Sequence, residues 1–166
     1  MSTVVEQLAN EYGLFLCVGC GKCVAVCPMG EIFQDFTYRV SPRGVVERAV
    51  LGIETLEHEG VWFCLTCDLC TDRCPAGVRI RDFVQAVRQA IIEAGGTEHA
   101  CFCRHCGVYV WPQHTVEYLK QTLQVSEESL TLCPRCRQHD FGKKMKALVP
   151  GSRRAHALKT QTGENK

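Results

Sequence analysis

Thirteen of the 166 residues are cysteines, and most of them fall at spacings that suit metal. Cys17, Cys20, Cys23 and Cys27 are followed at once by Pro28, and Cys64, Cys67, Cys70 and Cys74 at once by Pro75. Both runs read C-x2-C-x2-C-x3-C-P, a spacing that suits an iron–sulfur cubane. Three thiolates two residues apart wrap one corner of a cubane, each holding one iron. The fourth iron lies too far round for the same short loop, so either run alone leaves its cluster a ligand short. A lone C-x2-C serves equally for zinc or a redox dithiol, but two complete runs leave little room for either. Structural disulfides belong to an oxidising compartment. The opening stretch MSTVVEQLANEYG has no basic n-region and no apolar h-region, so the expected setting is a reducing cytoplasm.

A second cysteine pattern follows. Cys103-x2-Cys106 and Cys133-x2-Cys136 form two knuckles with 26 residues between them, the arrangement of a tetrahedral zinc site of ribbon type. Such a site has its four positions filled by thiolates and is redox-inert, so its expected role is structural. A third iron–sulfur site would need a three-plus-one pattern that these residues lack. Cys101 is a fifth cysteine for four places and is left out. His99, His105 and His139 lie near the knuckles and could substitute for a ligand, but a lone histidine beside a knuckle is more often a surface residue and they are read so.

Charge and hydropathy bound the partners. The formal charge of +1 counts every thiol as neutral; two oxidised cubanes and one tetrathiolate zinc add about −2 each, so +1 − 6 gives about −5 for the loaded protein. Basic surface then partly balances the clusters, which weakens an argument for nucleic acid built on net charge. No apolar run approaches the roughly 18 residues of a spanning helix, so no direct membrane insertion is expected.

The elements that must position these cysteines are helical, and the expected fold class is mainly α. Thr3 and Glu6 fit a capping box, and Val4, Val5, Leu8 and Tyr12 share one helical face up to Gly13. Gly19 and Gly21 let the first run's backbone approach its sulfurs. Between the runs, Ser41-Pro42 reads as an N-cap followed by proline at the first helical position, with Val45, Val46, Ala49, Val50 and Ile53 on one stripe. Phe33, Phe36, Tyr38 and Trp62 are expected to pack around the clusters. After the second run, Arg81 to Ala94 reads as an amphipathic helix, with Phe83, Val84, Val87 and Ile91 inward and Arg81, Gln85, Arg88 and Gln89 on the wet side. Gly95-Gly96 ends it. This divides the chain into a two-cluster domain (1–96), a zinc-ribbon-like module (97–142) and a basic, mobile tail (143–166). Within the module a strand is expected at Val108–Val110 and a short helix over Val116, Leu119 and Leu123.

The run spacing is that of bacterial two-cluster ferredoxins, in which the fourth cysteine ligates the other cluster. That implies one 4Fe–4S cluster on Cys17, Cys20, Cys23 and Cys74, and a second on Cys64, Cys67, Cys70 and Cys27. The long segment between the runs departs from the compact ferredoxin. The stretch VWFCLTCDLCTDRCPAGV at 61–78, and Ser41-Pro42-Arg43-Gly44 with its helix, resemble the heterodisulfide reductase C-subunit family over roughly residues 10–95. The resemblance implies an α-helical ferredoxin fold and a polypeptide that passes electrons from a flavoprotein to a catalytic partner within a hetero-oligomer. Similar motifs occur in components of anaerobic glycerol-phosphate dehydrogenase and of lactate oxidation, in chains that usually carry Cys-Cys pairs. This chain has no Cys-Cys dipeptide, so disulfide chemistry is expected on another polypeptide and the chain alone is not expected to be an enzyme. The zinc module is a departure from that family. It also supports a second reading: an iron–sulfur regulator binding nucleic acid through its ribbon and basic tail. No helix-turn-helix pattern accompanies it, so nucleic acid is disfavoured.

Overall fold

The computed structural model describes residues 2–53, 59–123 and 125–148, with Ser2 and Thr3 as backbone only. The fold is mainly α, as expected: ten helices and two short 3-10 turns among the described residues, with one two-stranded sheet.

Three helices longer than one turn frame the first half. Helix α1 (Ser2–Glu11) turns Val5 and Ala9 inward and stops where Gly13 adopts φ +72°. The Thr3 side chain, expected to cap it, lies outside the described residues. After a 3-10 turn (Leu14–Leu16), the first cysteine run, which holds the one-turn helix α2 (Lys22–Ala25), and a further one-turn helix α3 (Met29–Ile32), the chain enters α4 (Pro42–Val50). Ser41 caps α4: its Oγ accepts from Gly44 N at 3.1 Å and donates to the Tyr38 carbonyl at 2.6 Å. Helix α5 (Gly60–Phe63) leads into the second run, α6 (Leu69–Asp72) lies inside it, and α7 (Ile80–Glu93) follows it. Val46, Trp62, Phe83 and Val87 are among the side chains that close the core between α1, α4 and α7.

Three details differ from the sequence expectation. Ile53 does not continue the α4 stripe, because Gly52 at φ +68° ends the helix in a Schellman motif, with Gly52 N bonded to Ala49 O and Ile53 N to Arg48 O. The same motif ends α7 at Gly95 and Gly96, bonded to Ile92 O and Ile91 O. Tyr38 is 55 % exposed and bonds Glu47 through its hydroxyl, so it does not pack around the cysteines. Arg88, expected on the wet side of α7, is only 3 % exposed. Its position four residues beyond Val84 turns it into the apolar stripe, where Nε donates to Val61 O at 2.7 Å and Nη2 to Cys64 O.

In the second half, β1 (Ala100–Phe102) pairs antiparallel with β2 (Tyr109–Pro112), Cys101 opposite Trp111. Helix α8 (Gln113–Leu123) covers the expected Val116, Leu119 and Leu123, and is followed by α9 (Glu127–Leu130) and α10 (Pro134–Leu148). Lys143, Lys144 and Lys146, read as the start of a tail, continue α10 as exposed helical residues. Residues 149–166, the rest of that tail, lie outside the described residues. The two halves meet through rings: Phe63 stacks on His114 at 4.5 Å, Phe33 meets Tyr118 at 5.8 Å, and Trp62 meets Tyr109 at 6.1 Å.

Candidate iron–sulfur and metal centres

The two cysteine runs fold the same way. In each, the first cysteine leaves a short turn, the third lies on a one-turn helix, and positive φ occurs two residues after the first cysteine and one after the second. In the first run those positions are Gly19 and Gly21, both at φ +74°. In the second they are Thr66 at φ +53° and Asp68 at φ +73°. Aspartate tolerates this region, whereas a β-branched threonine is strained there. The turn is held by its contacts: Thr66 N donates to Cys64 Sγ at 3.3 Å, and Asp68 pairs with Arg81 at 2.9 Å. The Arg81 side chain, expected to be merely solvated, thereby pins the second loop to α7. Aligning the two runs residue by residue would have flagged Thr66 and Asp68 in advance.

The chain gathers the sulfurs across the runs. One hollow is lined by Cys17, Cys20 and Cys23 together with Cys74. A second is lined by Cys64, Cys67 and Cys70 together with Cys27. Ile80, at the start of α7, lines both, so the hollows lie side by side. Val46 and Val78 wall the first, and Met29, Val45 and Val84 the second. Backbone and side-chain N–H groups reach the sulfurs: Val78 N lies 3.4 Å from Cys74 Sγ, and Arg43 Nη1 lies 3.8 Å from Cys17 Sγ. Arg43 also occupies the space above Gly19, where a Cβ would come within 2.9 Å of its Nη1.

Burial dominates four of the thiols. It pushes Cys27 up to about 11 and Cys70 up to about 12, and raises Cys23 and Cys64 as well. Such groups are neutral at pH 7 and become thiolates when a metal displaces their protons. Four convergent thiols with aliphatic walls and N–H donors are the donor set a 4Fe–4S cluster takes, so the residues fit that group.

The knuckles converge separately. The Sγ atoms of Cys103, Cys106, Cys133 and Cys136 all lie within 4.8 Å of one another. Cys106 Sγ and Cys133 Sγ are 3.7 Å apart; a tetrahedral zinc with Zn–S near 2.3 Å would space its sulfurs by about 3.8 Å. Cys133 N donates to Cys103 Sγ at 3.4 Å and brings that thiol down to about 6, while bonds shared with the Cys106 thiol hold Cys136 up at about 12. Cys101 is turned elsewhere, its Sγ 2.7 Å from Gln113 Oε1. His105 and His139 flank Asp140, each at 3.7 Å, and His99 stacks between Trp62 and His114. The sequence reading missed Arg88 as a buried neighbour of Cys64 in the second run; a helical wheel of α7 places it beside Val84 and gives the signal.

Among the described residues no helix is long and apolar enough to cross a membrane. No curated protein matches the chain. Residues 10–78, which hold both cysteine runs, match the 4Fe-4S dicluster domain family. With those runs converging as described, the chain is an iron–sulfur, ferredoxin-like protein with a role in electron transfer.

Proposed function

We propose that the chain is the electron-transfer subunit of a heterodisulfide reductase-like complex, carrying two 4Fe–4S clusters and one structural zinc. The observation that supports it most is the crossed lining of the two hollows, three cysteines from one run and the last cysteine of the other. Cys17, Cys20, Cys23 and Cys74 would hold one cluster, and Cys64, Cys67, Cys70 and Cys27 the other. Each bound cluster supplies reversible one-electron exchange, so a pair can take up two electrons from a flavin and pass them on singly. The chain's residues do the rest. Met29, Val45, Val46, Ile80 and Val84 give the hollows an aliphatic inner wall, and the N–H groups of Thr66 and Val78 stabilise the charge on Cys64 and Cys74. Cys103, Cys106, Cys133 and Cys136 would hold zinc and stiffen a module with a small core of its own, formed by Leu132 and two of those cysteines.

The partners in this reading are a flavoprotein and a catalytic, disulfide-reductase-like polypeptide, in the cytoplasm. The missing Cys-Cys dipeptide supports placing disulfide chemistry on a partner. The regulator reading gains little from α10, whose Arg135, Arg137, Lys143, Lys144 and Lys146 are spread around the helix instead of along one side. Protein purified without oxygen should contain about eight iron and one zinc per chain and exchange electrons with artificial dyes. It should retain a flavoprotein and a Cys-Cys-containing protein when captured from native extract. About four iron, with no gain on reconstitution, would end the two-cluster reading.

A further inference from the structure

Among the described residues, Arg88 is a buried cation with no carboxylate beside it. Its guanidinium is spent on the carbonyls of Val61 and Cys64, and its Cζ lies 5.7 Å from the centre of the Trp62 ring. The ion pairs among the described residues use Arg81, Arg104, Lys120, His105 and His139, and none reaches Arg88. Burial lowers its pKa, and the groups that favour its charged form are Tyr109 and the Cys64 thiol. Carbonyl bonds orient a guanidinium but do not neutralise it, and a buried charge is retained only where an opposite charge answers it. In the metal-loaded protein that opposite charge is at hand, because Cys64 is then a thiolate in the residue whose carbonyl Arg88 already grips.

We propose that Arg88 is the internal counter-charge of the cluster held by Cys64, Cys67, Cys70 and Cys27, and that it holds that cluster's reduction potential up. The inference rests on the two-cluster reading above. Reduction adds one negative charge, and a fixed positive charge nearby stabilises the reduced state more than the oxidised one. Burial makes the effect large, since neither water nor salt screens it well. The first run has its own arginine in Arg43, 3.8 Å from Cys17 Sγ, but that side chain is only half-buried. Each run thus presents its first cysteine to one arginine. From the second half of the chain, Tyr109 packs against the Trp62 ring that Arg88 faces.

The test is a redox titration of the full chain, purified without oxygen and followed by electron paramagnetic resonance. Arg43→Gln identifies the first-run signal by moving it alone. Arg88→Gln should shift the other midpoint to a more negative potential and leave the first unchanged. Arg88→Lys should restore most of the shift, because it keeps the charge while altering the hydrogen bonds. Arg88→Met, which leaves no unpaired polar group, stands in if the glutamine variant does not load. Tyr109→Ala, by admitting water, should give a smaller shift in the same direction. An unchanged second midpoint in a variant with both clusters intact would overturn the role of Arg88, as would equal shifts of both midpoints. A wild-type chain with one cluster would instead overturn the two-cluster reading itself.

Discussion

Gly44→Ala would remove a glycine from inside a helix, a change that propensity alone counts as a gain of about 1 kcal/mol. The structure predicts the opposite. A Cβ at this position would stand 2.3 Å from the Tyr38 carbonyl oxygen and 2.6 Å from that of Arg39. Both are backbone atoms, so no side chain can swing away, and helix α4 must retreat by about 0.7 Å to restore a 3.0 Å contact. Overpacking of that kind costs about 1–3 kcal/mol. The retreat also stretches the 3.1 Å bond from Gly44 N to Ser41 Oγ, and losing a cap adds about 1 kcal/mol. Set against the propensity gain, the net loss is about 1–3 kcal/mol, which at an m-value of about 2 kcal/mol/M lowers the urea midpoint by about 0.5–1.5 M. Gly142→Ala is the control: it lies in α10 with nothing within 4 Å of the new methyl, so its midpoint should hold or rise. Both unfolding curves are to be taken anaerobically on metal-loaded protein. A Gly44→Ala chain as stable as wild type would refute the steric argument.

Two further outcomes are expected. Phe63 is 8 % exposed and touches the rings of Phe33 and His114. Phe63→Ala should therefore cost about 3–5 kcal/mol and shorten the life in air of the cluster beside Cys64 more than that of the other; equal lifetimes would contradict it. Zinc binding at the knuckles should strengthen as pH rises from 5.5 to 8. Cys103, brought down to about 6, is largely thiolate at pH 7, whereas Cys136, held up at about 12, must give up a proton to the solvent when metal binds. Below pH 6 Cys103 must give one up too, so affinity falls faster there. Competition with a chelator measures this, and a pH-independent affinity would be the contrary result.

Much of the fold was legible because it is encoded locally. The Ser41-Pro42 start of α4, the Gly95-Gly96 end of α7 and the first cysteine turn depend on a few adjacent residues whose backbone preferences are strong. The early end of α4 was written in Gly52, but an apolar Ile53 at helical spacing hid it. Arg88 was misplaced for a different reason. Charge argues for solvent, and only the three-dimensional contact with the Val61 and Cys64 carbonyls shows where the buried guanidinium is held. Thr66 and Asp68 become legible only when the second run is set against Gly19 and Gly21 of the first; the anchoring of Asp68 by Arg81 is a tertiary effect. The knuckles were readable in spacing, whereas the ring contacts that join Phe63 and Trp62 to His114 and Tyr109 depend on how the two halves pack.

The proposed crossed ligation is the feature on which the rest depends. Cys74 lies in the second run yet lines the hollow of Cys17, Cys20 and Cys23. Its replacement by alanine, examined by electron paramagnetic resonance on the reduced full-length protein, should weaken or convert the first-run cluster's signal and leave the second largely intact. Damage confined to the cluster on Cys64, Cys67 and Cys70 would show that each run closes its own cluster, contrary to the arrangement proposed for this protein.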